Sequence, residues 1–258
     1  SCYKWRLERF EMNLTDQNQR EKDFHNELQS QPRGRFENIF YKAIFNSNED
    51  FFKFLELNTT NSEVLDFGCG VGSSLEKVIK FNPKKITGID ISEVSILKAK
   101  NKMKESGSEI ELLVDNCEQT KFNSNNFDIV YGTGILHHLN MSMCLSEIYR
   151  ILKPGGKLIF IEPLGTNPLI NFYRKLTPKS RSKDEHPLVK LDFNLIEKKF
   201  INTQLKYYGF LTLIFFPLYK SPKNSNIFKF LKTIDQLLFK FNIFKKFAWS
   251  VLIIAQKN

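Results

Sequence analysis

Residues 64–72 read Val-Leu-Asp-Phe-Gly-Cys-Gly-Val-Gly, a short apolar run that ends in an acid and three alternating glycines. The pattern predicts a buried strand, a glycine-rich turn and then a helix over residues 73–79. Glycine lets the backbone pass close to a ligand because there is no Cβ in the way, and the first N–H groups of a helix have no partner inside it. A strand, a glycine turn and a helix in this order predict a nucleotide-cofactor site.

The spacing of the glycines narrows the class of cofactor. A dinucleotide-binding loop of the form G-x-G-x-x-G would place its third glycine at position 73, where the chain has Ser73. Here the third glycine comes one residue earlier, at Gly72, and Asp66 stands at the strand end, where a dinucleotide loop needs no acid. A nicotinamide-dependent oxidoreductase is therefore the less favoured alternative.

Two further predicted strands also end in acids. Residues 85–90 form an apolar run that ends in Asp90, at the spacing from Asp66 expected of an acid that binds ribose hydroxyls. An alternative role for Asp90 is to cap the next helix, over 93–105, but Ser92 can do this instead. Residues 110–114 predict a third strand, followed by Asp115, which is either a ligand contact or a turn residue.

The next motifs lie around the predicted fourth and fifth strands. Residues 127–131 predict a strand that leads into His137 and His138, and residues 157–161 predict a strand that leads into Glu162 after a helix over 145–152. Strands and helices alternate throughout 64–162, which predicts a parallel sheet with right-handed crossovers. Ligands bind beyond the carboxyl ends of such strands, so these three side chains are expected at the edge of a pocket.

Five motifs follow in order: VLDFGCGVG, GIDIS, VDNCE, FDIVYGTGILHHL and LKPGGKLIFIEP. Together they resemble the class I S-adenosylmethionine-dependent methyltransferases over about residues 60–162. The resemblance implies an α/β, Rossmann-like sheet of seven strands, mostly parallel with an antiparallel edge, and helices on both faces. It also implies S-adenosyl-L-methionine as cofactor and a small-molecule acceptor. The stretch EPLGTNPLINFYRKLTP…DEHPL looks like a bacterial small-molecule subgroup whose acceptors include glycans, lipid-linked compounds and secondary metabolites.

The resemblance also assigns roles to single residues. The cofactor-binding residues it implies are Asp66, Phe67, Gly68, Cys69, Gly70, Asp90, Ile91, Asp115, Asn116, Cys117, Tyr131 and Gly132. In it, Asp115 accepts a hydrogen bond from the adenine amine, and the N–H groups of the glycine loop face the methionine part. His137, His138 and Glu162 are the candidates for removing a proton from the acceptor; alternatively, a histidine here only packs. Adjacent side chains on a helix point apart, so no metal site is expected from the two histidines.

The parts of the chain outside the motifs are divided by composition. We expect a helical cap over 1–60, a cofactor-binding core over 61–163, a lid or acceptor insertion over 164–190 and a C-terminal part over 191–258 with a basic amphipathic helical insertion near 224–247. Helices are predicted over 21–28, 35–57 and 191–200, and the last two strands over 207–216 and 248–256, as an antiparallel pair. Phe24, His25 and Tyr41 are candidate pocket residues in the cap.

Charge is concentrated in two places. The lid holds Arg174, Lys175, Lys179, Arg181 and Lys183, which predicts an acceptor with negative charge, bound by Tyr41, Arg174 and Arg181. Of the net charge of +10, residues 201–258 hold nine lysines against the single acid Asp235, or +8. The segment 226–247 therefore predicts peripheral membrane contact, as in a non-catalytic membrane-associating module, or is an ordinary solvated face. No motif typical of enzymes that methylate nucleic acids is present, so no nucleic-acid partner is expected.

The cysteines Cys2, Cys69, Cys117 and Cys144 are scattered, without a C-x-x-C pair. This argues against a zinc site and fits a reducing compartment. The longest apolar runs are well short of the ~20 residues that span a bilayer. A cytoplasmic protein is the expectation.

Overall fold

The computed structural model of the chain describes residues 14–30, 39–105, 110–178 and 181–258. Their strands form one seven-stranded sheet in the order β3-β2-β1-β4-β5-β7-β6. The strands are β1 Glu63–Phe67, β2 Lys85–Asp90, β3 Glu111–Val114, β4 Phe127–Thr133, β5 Leu152–Pro163, β6 Ile201–Tyr208 and β7 Ser250–Gln256. Strands β1 to β5 are parallel, and β7 runs antiparallel to both of its neighbours, β5 and β6. The predicted fold class is confirmed.

Helices cover both faces of this sheet. They are α1 Asp16–Ser30, α2 Phe45–Asn58, α3 Leu75–Val78, α4 Glu93–Glu105, α5 Met141–Ile151, α6 Pro168–Leu176, α7 Lys190–Lys199, α8 Leu211–Ile214, α9 Asn226–Leu238 and α10 Asn242–Lys245. Successive strand residues point to opposite faces. Val64 packs with buried residues of α2, α3 and α4, and Leu65 packs with buried residues of α5 and α7. The apolar strand runs are thus buried on both sides, as in other parallel sheets.

The register brings the sequence motifs together at one edge. Asp66 pairs with Gly88 of β2 and with Tyr131 of β4, and Asp90 pairs with Val114 of β3. In a parallel sheet the carboxyl ends of the strands meet at the same edge. The acids that end β1 and β2, Asp115 after β3, and the loop after β4 therefore surround one cleft.

The N-terminal helices differ from the predictions. Helix α1 is longer than the predicted 21–28. The predicted helix over 35–57 is a 3-10 turn at Ile39–Ile44 followed by α2, and residues 35–38 lie outside the described residues. The helix after the glycine loop is a single turn, α3, that tightens into a 3-10 turn at Ile79–Phe81.

The predicted strand over 207–216 is wrong, because β6 ends at Tyr208. Gly209 adopts a left-handed conformation with φ of 81°. The side chain of Asp235 then accepts hydrogen bonds from the backbone N–H groups of Phe210, Leu211 and Thr212 at 3.2, 2.7 and 3.2 Å. These bonds satisfy the first donors of a helical turn, so the apolar run that follows forms α8. The predicted antiparallel pairing with the last strand is confirmed.

The described residues of the predicted lid over 164–190 include helix α6, although the sequence is rich in proline. Pro168 is the first residue of α6, where a helix needs no N–H donor, and the Asn167 side chain accepts the N–H of Ile170 at 3.0 Å. Leu164 and Leu188 form a bridge that holds the two ends of the segment together.

The division of the chain into four parts stays a prediction. Among the helices of the described residues, none has the length and apolarity to cross a bilayer.

Candidate functional site

The glycine loop after β1 has open space beside it. Gly68, Gly70 and Gly72 have φ values of 78°, 52° and 78°, which residues with a Cβ rarely adopt. At Gly70, a Cβ would meet no atom within 4 Å. At Gly68, by contrast, a Cβ would lie 2.6 Å from Cγ1 of Ile135. The loop therefore packs on the segment after β4 on one side and leaves a cradle on the other.

The backbone N–H groups of this loop are used inside the protein. Gly68 and Cys69 both donate to the carbonyl oxygen of Ile89, at 2.9 and 2.8 Å. Gly70 donates to Oδ2 of Asp90 at 2.9 Å, and Gly72 donates to the carbonyl of Cys69 at 2.9 Å. The expectation that these N–H groups face a ligand is wrong for all four, because three of them hold the loop against the end of β2 and the Gly72 N–H closes a turn inside the loop.

Asp66 lies at the base of the loop and has an unused acceptor. It is only 2% exposed, and its Oδ2 atom has no hydrogen-bond partner among the described residues. Burial and the charge of Asp90 together raise the pKa of Asp66 to about 8, although the nearby Tyr131 hydroxyl opposes the shift. A buried carboxylate oxygen without a partner is costly, and a donor that enters the cleft, such as an ammonium group, would relieve that cost.

The raised pKa predicts a dependence of stability on pH. The folded protein keeps the Asp66 proton up to about pH 8, whereas the unfolded chain releases it near pH 4. Stability therefore falls as pH rises through this window. Between pH 6 and 8 we expect this group to remove about 1 kcal/mol of unfolding free energy per pH unit. Urea unfolding of Asp66→Asn should lack that slope, and Asp23→Asn, an exposed acid of α1, should keep it. An unchanged slope in Asp66→Asn contradicts the assignment.

Asp90 closes the loop and still has capacity to bind. Its Oδ1 atom accepts the N–H of Ser92 at 2.8 Å, and its Oδ2 atom accepts Gly70. The Ser92 hydroxyl accepts the N–H of Ser95 at 3.1 Å, so Ser92 caps α4, as the sequence allowed. Each carboxylate oxygen has a second lone pair. Asp90 can therefore accept two further hydrogen bonds from a diol.

Asp115 is both a turn residue and part of the cleft. It is 2% exposed and accepts the N–H groups of Asn116 at 2.9 Å and Lys121 at 3.1 Å. The Asn116 side chain donates to Asn18 of α1 at 3.2 Å. Helix α1 thus lies over the ends of β2 and β3, in keeping with the expected helical cap. Its individual contacts were not predicted, because the partners lie about a hundred residues away.

Four predicted cofactor contacts have side chains that lie in the core. Phe67 is fully buried with its ring 6.1 Å from that of Phe160, and Tyr131 is fully buried against Phe51. Cys69 and Cys117 are also buried. At Gly132, a Cβ would lie 2.6 Å from the Phe67 carbonyl. Phe67, Tyr131 and Gly132 can therefore meet a ligand only through their backbone. Ile91, at the start of the turn before α4, is partly exposed.

Glu162 and His137 form a buried dyad. The Nδ1 atom of His137 lies 2.7 Å from Oε2 of Glu162. The Oε1 atom of Glu162 accepts the N–H groups of Ile135 and Leu136, both at 2.9 Å. Burial lowers the pKa of His137, although the carboxylates of Glu162 and Glu185 oppose this. The imidazole is therefore neutral at pH 7, with Nδ1–H donating to Glu162 and Nε2 left to accept a proton.

These contacts separate the three candidate catalytic residues. Glu162 is fully buried, and its oxygens accept hydrogen bonds from the loop after β4 and from His137, so its carboxylate is used inside the protein. The rings of His137 and His138 lie 4.1 Å apart between centroids. The expectation that they point apart is therefore wrong, although both residues belong to the 3-10 turn Leu136–His138.

His138 is joined to α1 in a second cluster. Its Nδ1 atom lies 3.1 Å from Oε2 of Glu21, and Nε2 of His25 lies 3.6 Å from the same oxygen. One ligand atom from each of the three residues lies within 4.8 Å of the others. Ser182 of the lid donates to the other Glu21 oxygen at 2.5 Å. The cluster connects α1, the loop after β4 and the lid, and Glu21 is a site residue that the sequence analysis missed. The absence of a metal stays a prediction.

The two arginines of the lid that are predicted to bind the acceptor, Arg174 and Arg181, have different hydrogen-bond and ion-pair partners. Arg181 donates to Glu185 at 3.1 Å. Nη1 of Arg174 donates to the carbonyl of Leu164 and to the Asn171 side chain, at 2.9 and 2.8 Å. Its Nε atom is buried and has no partner among the described residues, and burial lowers the pKa of Arg174 to about 10. Tyr41 is half-exposed, with its ring 5.3 Å from that of Trp249. Lys179 lies outside the described residues.

A family described as "Methyltransferase domain" matches residues 65–160. This segment is a class I methyltransferase domain. It contains the glycine loop, Asp66, Asp90, Asp115 and both histidines, and its sheet continues through β6 and β7 outside the matched residues.

The methyltransferase domain is also the part of the chain that is similar to curated proteins. Sterol 24-C-methyltransferase ERG6A of Gibberella zeae is 34% identical over 112 residues, which are 42% of this chain and 29% of that protein. Demethylmenaquinone methyltransferase of Lactococcus lactis is 33% identical over 120 residues, or 45% of this chain and 47% of that protein. The chain spans less than half the length of these curated relatives.

Solved structures share the fold over most of the chain. Geranyl diphosphate C-methyltransferase from Streptomyces coelicolor, in complex with Mg²⁺, geranyl diphosphate and S-adenosyl-L-homocysteine, has a TM-score of 0.65 at 13% identity and covers 95% of this chain and 99% of its own. Phosphoethanolamine N-methyltransferase 2 of Haemonchus contortus, in complex with S-adenosyl-L-methionine, has a TM-score of 0.64 at 17% identity, covering 95% of this chain and 60% of its own. At these identities the likeness concerns the fold.

Proposed function

We propose that this chain transfers the methyl group of S-adenosyl-L-methionine to a small-molecule acceptor. The observation that carries the proposal is the row of acids at the carboxyl ends of β1, β2 and β3, around a glycine cradle with open space at Gly70. The methyltransferase domain over 65–160 supports it, as do relatives named for the methylation of sterols and demethylmenaquinone.

The residues present fit this cofactor. The unpartnered Oδ2 atom of Asp66 suits the methionine ammonium, and the free lone pairs of Asp90 suit the two ribose hydroxyls. Asp115, under the roof of α1, has lone pairs left to accept a hydrogen bond from the adenine amine. When bound, the cofactor supplies a methyl group on a sulfonium that leaves as a neutral thioether. The protein's own task is to exclude water, align the acceptor and hold its proton.

His137 is the residue we assign to proton removal from a hydroxyl or amine acceptor. Its neutral imidazole is oriented by Glu162 through the 2.7 Å contact at Nδ1, which leaves Nε2 as the basic atom. A base with a pKa near the working pH is effective in such a step. Because Glu162 also holds the loop after β4, the same carboxylate fixes both the position and the tautomer of the base.

Arg174 supports an acceptor with negative charge. The Arg174 guanidinium is half-buried, and the charge of Glu185 opposes only part of the effect of that burial on its pKa. Its unused N–H group is costly unless an acceptor enters. Guanidinium groups bind carboxylates and phosphates through paired hydrogen bonds. Arg181 contributes less, because Glu185 already balances its charge. The acceptor we propose is therefore a phosphorylated or carboxylated molecule.

Replacing Arg174 with glutamine should raise KM for an anionic acceptor about 10- to 100-fold, since a hydrogen bond to a charged group contributes about 1.5–3 kcal/mol. The value of kcat should change little, because Arg174 is proposed to bind the acceptor and takes no part in the proton transfer. Steady-state kinetics would measure both constants. Lys175→Gln, the exposed neighbour on α6, is the matched control. Equal KM values for Arg174→Gln and the unaltered protein would show that Arg174 only stabilises the lid and does not bind the acceptor.

The function itself is tested in two steps. Calorimetric titration with S-adenosyl-L-methionine and S-adenosyl-L-homocysteine should show binding, and no binding at millimolar ligand would end the proposal. Release of S-adenosyl-L-homocysteine is then measured with a panel of sugar, lipid-linked and secondary-metabolite acceptors, each in anionic and neutral form. Cofactor binding without turnover on any member of the panel would favour a non-catalytic cofactor-binding module.

A further inference from the structure

Helix α9 has two apolar faces, of which only one is buried. Phe228, Leu231 and Asp235 face the protein. Ile227, Phe230 and Leu237 are 45%, 65% and 53% exposed. Their spacing of three and seven residues places them within roughly a quarter of the helix circumference. The exposed residues therefore form a continuous apolar stripe on the outer side of α9.

The stripe continues on the elements next to α9 in the chain. The segment around α8, which packs on α9, and the segment around α10 expose further large apolar side chains: Ile214, Phe215, Leu218, Phe241 and Ile243, each 41% or more exposed. Single exposed apolar residues are ordinary, but eight of them on α9 and on the elements next to it in the chain indicate an interaction surface.

Helix α6 of the lid carries a similar stripe. Leu169, Phe172 and Leu176 are 48% to 65% exposed and recur at the spacing of one helix face. The Asn167 side chain, which caps α6, donates to the carbonyl oxygen of Phe247 just after α10. The ring of Phe40 contacts both Tyr173 of α6 and Phe216, at 5.1 and 4.8 Å between centroids. We call the exposed apolar residues of α6 and of the 214–243 region the apolar rim.

The surroundings of the apolar rim are basic. Exposed lysines interleave with it at positions 220, 223, 229, 240 and 246. The single acid of residues 201–258, Asp235, is 2% exposed, and its carboxylate accepts the N–H groups at the start of α8. The surface of this part of the chain therefore presents apolar and cationic groups and no acid.

We propose that the apolar rim docks the protein on an anionic lipid bilayer. Apolar side chains that enter the headgroup boundary, flanked by lysines that meet anionic lipids, are the physical basis of interfacial binding. A second copy of this chain is a poorer occupant, because a symmetric interface places each patch against itself and would bring the lysines together. Docking by α6 would hold the lid, and with it the proposed acceptor site, beside the bilayer, so the acceptor we infer is a lipid-linked anion; this last clause rests on the proposed methyl transfer.

Co-sedimentation with vesicles tests the docking. We compare phosphatidylcholine vesicles with and without roughly 30 mol% of the anionic lipid phosphatidylglycerol, which attracts lysine side chains. Both are measured at low and at physiological salt. The unaltered protein should pellet with the anionic vesicles. The double variant Phe230→Ser/Phe241→Ser keeps the net charge and should lose at least tenfold in partition coefficient. Lys229→Gln should lose about fivefold, with anionic vesicles only.

A matched variant separates docking from general adhesion. Leu97→Ser removes an equally exposed apolar side chain on α4 and should bind vesicles like the unaltered protein. Failure of the unaltered protein to pellet at low salt, or equal losses in Leu97→Ser and the Phe double variant, would overturn the proposal. So would a concentration-dependent dimer that the Phe double variant abolishes. The affinity of the same variants for S-adenosyl-L-homocysteine should be unchanged. A protein that binds vesicles but not this ligand would refute methyl transfer and leave the docking proposal intact.

Discussion

Replacing Glu162 with alanine should lower the free energy of unfolding by about 3–5 kcal/mol, because each buried donor left without its acceptor costs about 1–3 kcal/mol. Glu162 has no exposed surface and accepts the N–H groups of Ile135 and Leu136 at 2.9 Å, along with Nδ1 of His137 at 2.7 Å. Its removal leaves three buried donors unpaired and opens a cavity between β5 and the loop after β4. Urea unfolding followed by circular dichroism would measure the loss.

Two variants bracket this result. Glu162→Gln keeps the volume and an amide oxygen for the two backbone donors, so it should cost less than half as much as alanine. Its NH₂ group faces Nδ1 of His137, however, and would force the ring into the wrong tautomer for a base. Glu111→Ala removes a half-exposed acid paired with Lys85 and should cost less than about 1 kcal/mol. A loss in Glu162→Ala as small as that of Glu111→Ala would show that the dyad does not hold the loop.

Replacing Asp90 with alanine should weaken the binding of S-adenosyl-L-homocysteine at least 100-fold, or about 3 kcal/mol. Two hydrogen bonds from ribose hydroxyls to a charged acceptor are lost, at about 1.5–3 kcal/mol each before relaxation. The N–H groups of Gly70 and Ser92, at 2.9 and 2.8 Å, also lose their acceptor, so the glycine loop is no longer held at the end of β2. Isothermal titration calorimetry gives the affinity.

Controls separate the ribose contact from the loop contact. Asp90→Asn retains an amide oxygen for one partner and should lose only about tenfold in affinity. Glu105→Gln, an exposed acid at the end of α4, should bind like the unaltered protein. Thermal melts confirm that each variant is folded. A decrease of less than threefold in Asp90→Ala would place the ribose elsewhere in the cleft.

The core could be predicted from the sequence because its signals are local. The run from Val64 to Gly72, the acids that end β1 and β2, and the Leu-x-Pro-Gly-Gly turn before the fifth strand each determine their own conformation within a few residues. Apolar runs bounded by glycine, proline and asparagine predict buried strands wherever they lie, and their order predicts a parallel sheet. The fold class and the edge of the sheet that holds the cleft followed from these signals.

The errors concern elements whose conformation depends on distant partners. The run after Tyr208 has the composition of a strand, but Asp235, some 25 residues later, supplies a carboxylate that starts a helix there. The N–H groups of the glycine loop have no local acceptor in the sequence, yet β2 provides one at Ile89. Glu21 was missed because its partner, His138, is joined to it only by folding.

The sequence by itself determined the class of the fold, the row of acids and the basic character of the C-terminal part, since these depend on residue type and spacing. Only the tertiary structure decided which of the candidate groups can reach a ligand. It buried Glu162 behind His137, paired Arg181 with Glu185, left Nε of Arg174 without a partner among the described residues, and turned one face of α9 outward. The physical reason is that the availability of a polar or apolar group depends on what packs against it, and that is set by contacts between residues far apart in the chain.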